Sequence, residues 1–353
     1  MLNWSMIICT LNRLPLLQEA LQTVVWQTRP PRQIIIVDSS ADWEHCRDVV
    51  MAGIASRHPQ FEWIYLGSST RSLTAQRNIG LARCSSDIAF LFDDDTFAFP
   101  DCAEQILRVY ERDAERRIGG VSAMLSPFHP AHELPPEWGK AMPESSAGPS
   151  QRYSRLADFM RSWWDQYRLF IPYDGDYHWR DTEWLGMGGE VGPVQLFHGC
   201  RMTFRTAAIR EAGGFSEALT RQCFGEDIDA SYRVSRRHQL VEARKALVHH
   251  LLSPRARAGV SVQTTLVLLN AIVLYWIHAA GGRPRQGAVL RFALTRLGAE
   301  MVRDMVKPWR GLPHFRGILR ALPRAIRLSR LSKQELLQVY PSVQTELLDS
   351  KRR

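Results

Sequence analysis

The chain reads as an α/β fold: a mostly parallel sheet flanked by helices, followed by a helical, basic C-terminal region. Three observations lead there. Apolar, β-branched runs alternate with helically spaced stretches over residues 5–95. Two of those runs end on acids, Asp38 and Asp93–Asp95. From Ser253 onward there are 18 Lys and Arg against 5 Asp and Glu, whereas the preceding residues hold 27 against 31. Strands separated by helices imply a sheet covered on both faces, and in such sheets ligands collect beyond the carboxyl ends of the strands.

In order, "SMIICTL" (5–11) is an apolar strand, and "PLLQEALQTVVWQ" (15–27) has helical spacing with Pro15 suited to a first turn. "RQIIIVDSS" (32–40) is a second strand, ending at Asp38, and a mixed segment leads to a third, "FEWIYLG" (61–67). "SLTAQRNIGLARC" (72–84) reads as a helix and "DIAFLFDDD" (87–95) as the next strand. A helix over 102–117 and a strand over 118–125 follow. Residues 126–192 are rich in Pro, Gly, Ser and Trp, including Trp138, Trp163, Trp164, Trp179 and Trp184. A loop of that length in a compact domain is functional or mobile. Order resumes over 194–215 with a strand, a turn, a strand and a short helix; Gly225, Glu226 and Asp227 then head a helix over 224–239. "LVEARKALVHHLLS" (240–253) closes this part.

The 353 residues, 45% hydrophobic and 23% charged, can bury one large core or two modest ones. Six scattered cysteines without a CxxC pair argue against a zinc knuckle or disulfide framework and for a reducing compartment. The N-terminal apolar stretch is short and lacks a basic leader, so it does not read as a signal peptide. The net charge of +9 belongs to the tail, unlike a nucleic-acid binder with a basic face on its folded core. Residues 262–280 approach the length of a membrane span, but Gln263, Asn270 and His278 interrupt them, favouring a packed or interfacial helix. Over 314–331, Arg316, Arg320, Arg324 and Arg327 form one stripe, with Ile318, Leu322 and Ile326 expected opposite. This pattern suits an anionic membrane surface, an acidic partner, or the solvated face of a packed helix.

Three adjacent carboxylates repel one another and must be solvated, capped or neutralised by a cation. An Asp-x-Asp pair just past a strand can share Mg²⁺ or Mn²⁺ through oxygen ligands. Other candidates each have a plain structural alternative. Asp38 suits a turn cap or an acceptor for base or ribose groups. Arg77 and Asn78 suit a polar surface or a nucleotide contact. Glu226 and Asp227 suit a helix N-terminus or a general base, and His249 and His250 suit a structural histidine or a ligand.

Together these pieces resemble the inverting glycosyltransferases of family 2, which carry the GT-A (Rossmann-like) fold. The resemblance rests on "SMIICTLNR", "PPRQIIIVDSS", "LTAQRNIGLARCSSDIAFLFDDD" and "FHGCRMTFRTAAIREAGGFSEALTRQCFGEDIDASYRV", in that order, and on a later histidine. It covers roughly residues 4–253, within a domain taken as 1–253: a nucleotide-sugar half (1–125), the Trp-rich acceptor-side insertion (126–192) and an acceptor and catalytic half (193–253), with the helical, basic 254–353 beyond it. Where the family often has Asp-Asp-Gly-Ser, this chain has Asp38-Ser39-Ser40-Ala41.

The resemblance implies transfer of a sugar from a nucleotide-diphospho-sugar, UDP-linked by prior, to an acceptor hydroxyl on a glycan or lipid-linked substrate. The setting would be cell-surface glycan, polysaccharide or glycolipid synthesis. It implies Mn²⁺ or Mg²⁺ held by Asp95, Asp93 and His250, with His249 as the alternative. Donor contacts fall to Thr10, Asn12, Arg13, Asp38, Ser40, Arg77, Asn78, Asp93 and Asp94. Asp227 would be the base with Glu226 as runner-up, and Gly199, Gly225 and Trp184 would lie on the acceptor side. The expected location is cytoplasmic, peripheral on the membrane's cytoplasmic face through the basic helices. The competing readings are a catalytically inactive nucleotide-sugar-binding protein and a nucleotidyltransferase; the latter would be expected to carry a Gly-rich phosphate loop near the first strand, and "CTLNRLPLL" is not one.

Overall fold

The computed structural model describes residues 1–130, 181–221, 224–251, 259–278, 286–305 and 311–349. Most of the Trp-rich stretch, with Trp138, Trp163, Trp164 and Trp179, lies outside the described residues. Those at 1–130, 181–217 and 226–251 form one compact unit, and those at 218–221, 224–225, 259–278, 286–305 and 311–349 form a second.

The first unit is built on a sheet of β1 (Trp4–Thr10), β2 (Gln33–Asp38), β3 (Glu62–Gly67), β4 (Ile88–Asp93), β5 (Thr96–Ala98), β6 (Ile118–Ser126), β7 (Val191–Pro193), β8 (Arg201–Arg205) and β9 (Gln239–His250). Its order is β3-β2-β1-β4-β8-β6-β9-β5, with β7 also on β9. Strands β1 to β4 run parallel, β8 reverses between β4 and β6, and β9 is parallel to β6. Helices α1 (Leu14–Val25), α2 (Trp43–Val50), α3 (Leu73–Arg83), α4 (Cys102–Arg112), α5 (Thr206–Glu211) and α6 (Glu226–Ser235) complete the unit.

Both sheet faces are covered, which is why β1, β2 and β4 are apolar at nearly every position rather than alternating. Met6, Ile8, Ile34, Ile36, Phe90 and Phe92 face a core with Leu17 and Leu21 of α1 and Ile106 and Tyr110 of α4. The intervening Ile7, Ile35, Val37 and Leu91 face the other core, with Leu81 of α3, Ile209 of α5 and Val234 of α6.

Gly80 sets how closely α3 lies on the sheet: a Cβ there would stand 2.4 Å from Ile7 Cγ2, inside the core. Gly80→Ala gains helix propensity yet overpacks this contact. It is expected to destabilise the unit by about 1–3 kcal/mol, read from the urea midpoint.

The structure departs from the sequence expectations at several places. The mixed segment after β2 is helical: α2 runs into a π-helical turn, Met51–Ala55. The helix expected over 102–117 stops at Arg112, because the Asp113 carboxylate takes the amides of Arg117 (2.9 Å) and Ile118 (2.8 Å). The strand expected at the start of 194–215 lies earlier, at β7, and β5 was too short to stand out.

The second unit contains α7 (Val260–His278), α8 (Gln286–Met305), α9 (Pro313–Leu328) and α10 (Lys333–Asp349). Among the described helices α7 alone is long and apolar enough to cross a membrane, but 67% of its apolar window is buried within the protein. Asn270, a polar interruption of that helix, donates to Phe224 O at 2.8 Å and accepts from Tyr340 Oη. Gly317 lets α9 cross α7 closely, where Thr265 Oγ1 donates to Gly317 O at 2.9 Å. In α9, Ile318 is buried and Leu322 half-buried, whereas Ile326 is 56% exposed. The buried stripe is Gly317, Ile318, Ala321, Ala325 and Leu328, whose small residues admit the neighbouring helices.

Candidate active site

The carboxyl ends of β2, β1 and β4 are level, because register pairs Thr10 with Asp38 and Cys9 with Asp93. Gln76, inward on α3, fastens two of them: its Nε2 donates to Thr10 O (3.0 Å) and Val37 O (2.8 Å).

Each of the three consecutive acids has its own cationic partner. Asp93 Oδ1 accepts from Arg77 Nη2 at 3.0 Å. Asp94 accepts from Thr10 Oγ1 (2.7 Å) and Arg13 Nη1 (2.8 Å). Asp95 Oδ1 lies 3.1 Å from His250 Nε2, with Arg13 Nη1 at 3.5 Å from its other oxygen. Burial still dominates at Asp94, raising its carboxyl to about 6 against the pull of Arg13 and Thr10.

Asp93, Asp95 and His250 offer ligand atoms all within 4.8 Å of one another. Two hard carboxylates and one imidazole form a donor set suited to Mn²⁺ or Mg²⁺ with further positions open, so the residues fit such an ion. Burial pulls the His250 imidazole down, but its hydrogen bonds to Asp95 and Cys200 outweigh it and raise the pKa to about 10. An imidazole binds a cation in its neutral form, so ligation would release that proton. His249 is used differently: its Nδ1 is 3.1 Å from Ser126 O and its ring stacks on Phe97. The β5–β9 register separates the two, pairing Thr96 with His250 and Phe97 with His249.

At the head of α6, Asp227 accepts from Gly199 N and Ile228 N, both at 2.8 Å. Burial raises its carboxyl, opposed by these amides and by the positive field of His198 and Arg77. Glu226 is buried and receives Arg77 Nη1 at 2.9 Å. Burial and the Asp227 charge nevertheless raise it to about 8. Arg77 therefore bridges Asp93 and Glu226, with Nη2 also donating to Gly199 O at 3.2 Å. Gly225, grouped with the second unit, has φ of 95°, a left-handed conformation that favours glycine.

Asp38 is buried, accepting from Ser40 N and Tyr65 Oη, both at 2.7 Å. Ser40 Oγ accepts from Asn12 N at 2.7 Å, and Asn12 takes φ of 56°, which asparagine tolerates. The Asn78 amide is occupied with Phe215 N and O and with Glu217, and it braces the Gly214–Phe215 turn. Trp184 lies on a short 3₁₀ turn beneath the Arg117 guanidinium, 5.1 Å away. Sequence reading missed Tyr65, Gln76, His198 and Cys200. Of these only Gln76 carried a signal, as a polar residue beside Arg77 on the sheet side of a helix.

Residues 5–122 match the family model "Glycosyl transferase family 2". An uncharacterized glycosyltransferase of Bacillus subtilis (strain 168), YwdF, is 30% identical over 108 residues, 30% of this chain and 38% of that protein. The chain thus aligns with little more than a third of that curated relative. Among solved structures, the mannosyltransferase PcManGT from Pyrobaculum calidifontis, in complex with GDP-Man and Mn²⁺, superposes with a TM-score of 0.52. Identity is 15%, with 93% of this chain and 87% of that one covered. GalNAc-T7 with UDP, GalNAc and Mn²⁺ gives a TM-score of 0.54 at 13% identity, covering 92% of this chain and 57% of that one. At such identities the likeness is one of fold, and the fold is GT-A.

Proposed function

We propose, because residues 5–122 match the model of glycosyl transferase family 2, that the chain is a metal-dependent, inverting glycosyltransferase using a nucleotide-diphospho-sugar donor. The observation that carries this reading is the convergence of two charged clusters. Asp93, Asp95 and His250 form an oxygen-rich cation set, while Asp227 and Glu226 stand beyond the shared Arg77. A cation bound there supplies Lewis acidity to the departing diphosphate.

The chain's own residues divide the remaining work. Asp38, one residue further along the strand ends than Asp93, is set to receive base or ribose donors, with Tyr65 and Ser40 N fixing its carboxylate. Asp227 takes the acceptor hydroxyl's proton as that oxygen bonds to the anomeric carbon and the bond to the diphosphate breaks. Glu226 is the poorer base because Arg77 holds it directly. Inversion follows from a single displacement and needs no enzyme nucleophile. The relatives' GDP-Man, and UDP with GalNAc, make a hexose on a purine or pyrimidine diphosphate the donor class to screen.

The test is thermal stabilisation by a panel of nucleoside diphosphates and nucleotide sugars, with and without Mn²⁺, followed by transfer assays. Wild-type protein is expected to shift only when nucleotide and Mn²⁺ are both present. Asp95→Ala is expected to remain folded yet lose the Mn²⁺-dependent shift and transfer. Full transfer by Asp95→Ala, or by wild type in chelator, refutes the metal role. A nucleotide-sugar-binding protein without catalysis would give the shift and no transfer or donor hydrolysis.

A further inference from the structure

We propose that the exposed face of α8 and α9 is a docking surface for an anionic lipid bilayer. Surface helices ordinarily turn polar residues outward, yet α8 exposes Leu290 (59%), Leu294 (56%), Met301 (43%) and Met305 (66%). Their spacings of four, seven and four residues place them on one helical face. On α9, Leu319 and Ile326 are likewise exposed. Exposed arginines accompany them: Arg291 on α8, next to Leu290, and Arg316 and Arg327 on α9.

The acids of these helices are withdrawn. Glu300 and Asp304 are both buried, and α9 has none. Glu300 pairs with Arg296 at 2.6 Å and with Arg303 at 3.5 Å. Asp304 accepts from Phe315 N at 2.8 Å and lies 2.6 Å from His314 Nδ1, which joins the end of α8 to the start of α9. No described residue of α8 or α9 is an exposed acid. The face therefore offers apolar side chains and positive charge together, the combination that binds an interface of acyl chains and anionic headgroups. A second copy of this chain is a poorer occupant, because pairing the face with itself would set arginine against arginine with no acid between.

Vesicle co-sedimentation of the full-length protein tests this, comparing phosphatidylcholine with phosphatidylcholine containing about 30% phosphatidylglycerol, at low and high salt. The expected result is binding to the anionic vesicles that weakens in high salt and is much lower on neutral ones. Leu294→Glu with Met301→Glu should lower the partition at least tenfold. Arg316→Gln with Arg327→Gln should lower it about fivefold per arginine, and thermal midpoints should remain unchanged because all four side chains are exposed. Failure of the wild type to bind anionic vesicles overturns the proposal, as does binding indifferent to both variants. So does a wild-type dimer that the Leu294/Met301 variant dissolves without vesicle binding, which would give the face to a second copy. If the glutamate pair lowers the midpoint, the arginine pair and salt dependence decide: binding insensitive to both also refutes it.

Discussion

Asp227→Asn is expected to lower turnover by about 10²–10⁴-fold, the usual contribution of a general base, with nucleotide and Mn²⁺ binding retained. The substitution keeps size and position but removes the proton acceptor. Gly199 N and Ile228 N now donate to opposite carboxylate oxygens, so an asparagine leaves one of them facing an NH₂ group. A loss of about 1–3 kcal/mol in stability should accompany the lost turnover. The pH profile separates this role from a structural one. Burial raises the Asp227 carboxyl, so wild-type kcat/KM should climb with pH as the base ionises, on a limb lying above the ordinary carboxylate range. Residual activity of Asp227→Asn should lack that limb. Near-normal turnover in this variant, with loss in Glu226→Gln instead, would move the base role to Glu226.

Arg77→Met is expected to destabilise the first unit by about 3–5 kcal/mol, because it strands the buried partner of an ion pair rather than replacing the pair. Arg77 and Glu226 are both buried, and Asp93 loses the same guanidinium. The pH dependence has a definite sign. Glu226 is already raised to about 8, and Arg77 is a cause acting downward, so removing the cation raises it further. A raised folded-state carboxyl stabilises below its unfolded value and loses that contribution as pH rises through the folded value. The deficit should therefore be nearly constant below pH ~8 and grow above it, where wild-type Glu226 ionises and the variant's does not, read from urea midpoints on both sides of that value. A deficit independent of pH would mean that packing, such as Arg77 over the Phe215 ring, carries the effect.

Much of this architecture was legible in the sequence because buried parallel strands leave an unambiguous trace. "IIIVD" and "IAFLFD" are continuous apolar runs whose last residue is an acid, and both became strands ending at the site. The positions of Asp38 and Asp93 follow from that trace. What pairs with them does not. Tyr65 reaches Asp38 from 27 residues away and His250 reaches Asp95 from 155 away, and neither separation marks the sequence. The resemblance favours His250 over its neighbour His249, but what separates the two physically is the register of β9 on the three-residue β5. Helical periodicity says which residues share a face, not which face is buried; in α9 Gly317, Ala321 and Ala325 decide that through close helix packing, and Ile326 is left outside.

The bridging position of Arg77 gives the site a property beyond the roles of its parts. One guanidinium is shared between Asp93, in the cation-binding set, and Glu226, beside Asp227. A divalent ion that takes up the Asp93 carboxylate competes with the guanidinium and leaves more of it to Glu226. In the proposed mechanism the two ends would be thermodynamically linked: an ion at the Asp93 end would alter the protonation balance at the Glu226 end, and the influence would be reciprocal. Through Arg77, ion occupancy and readiness to accept a proton would then form a single coupled variable.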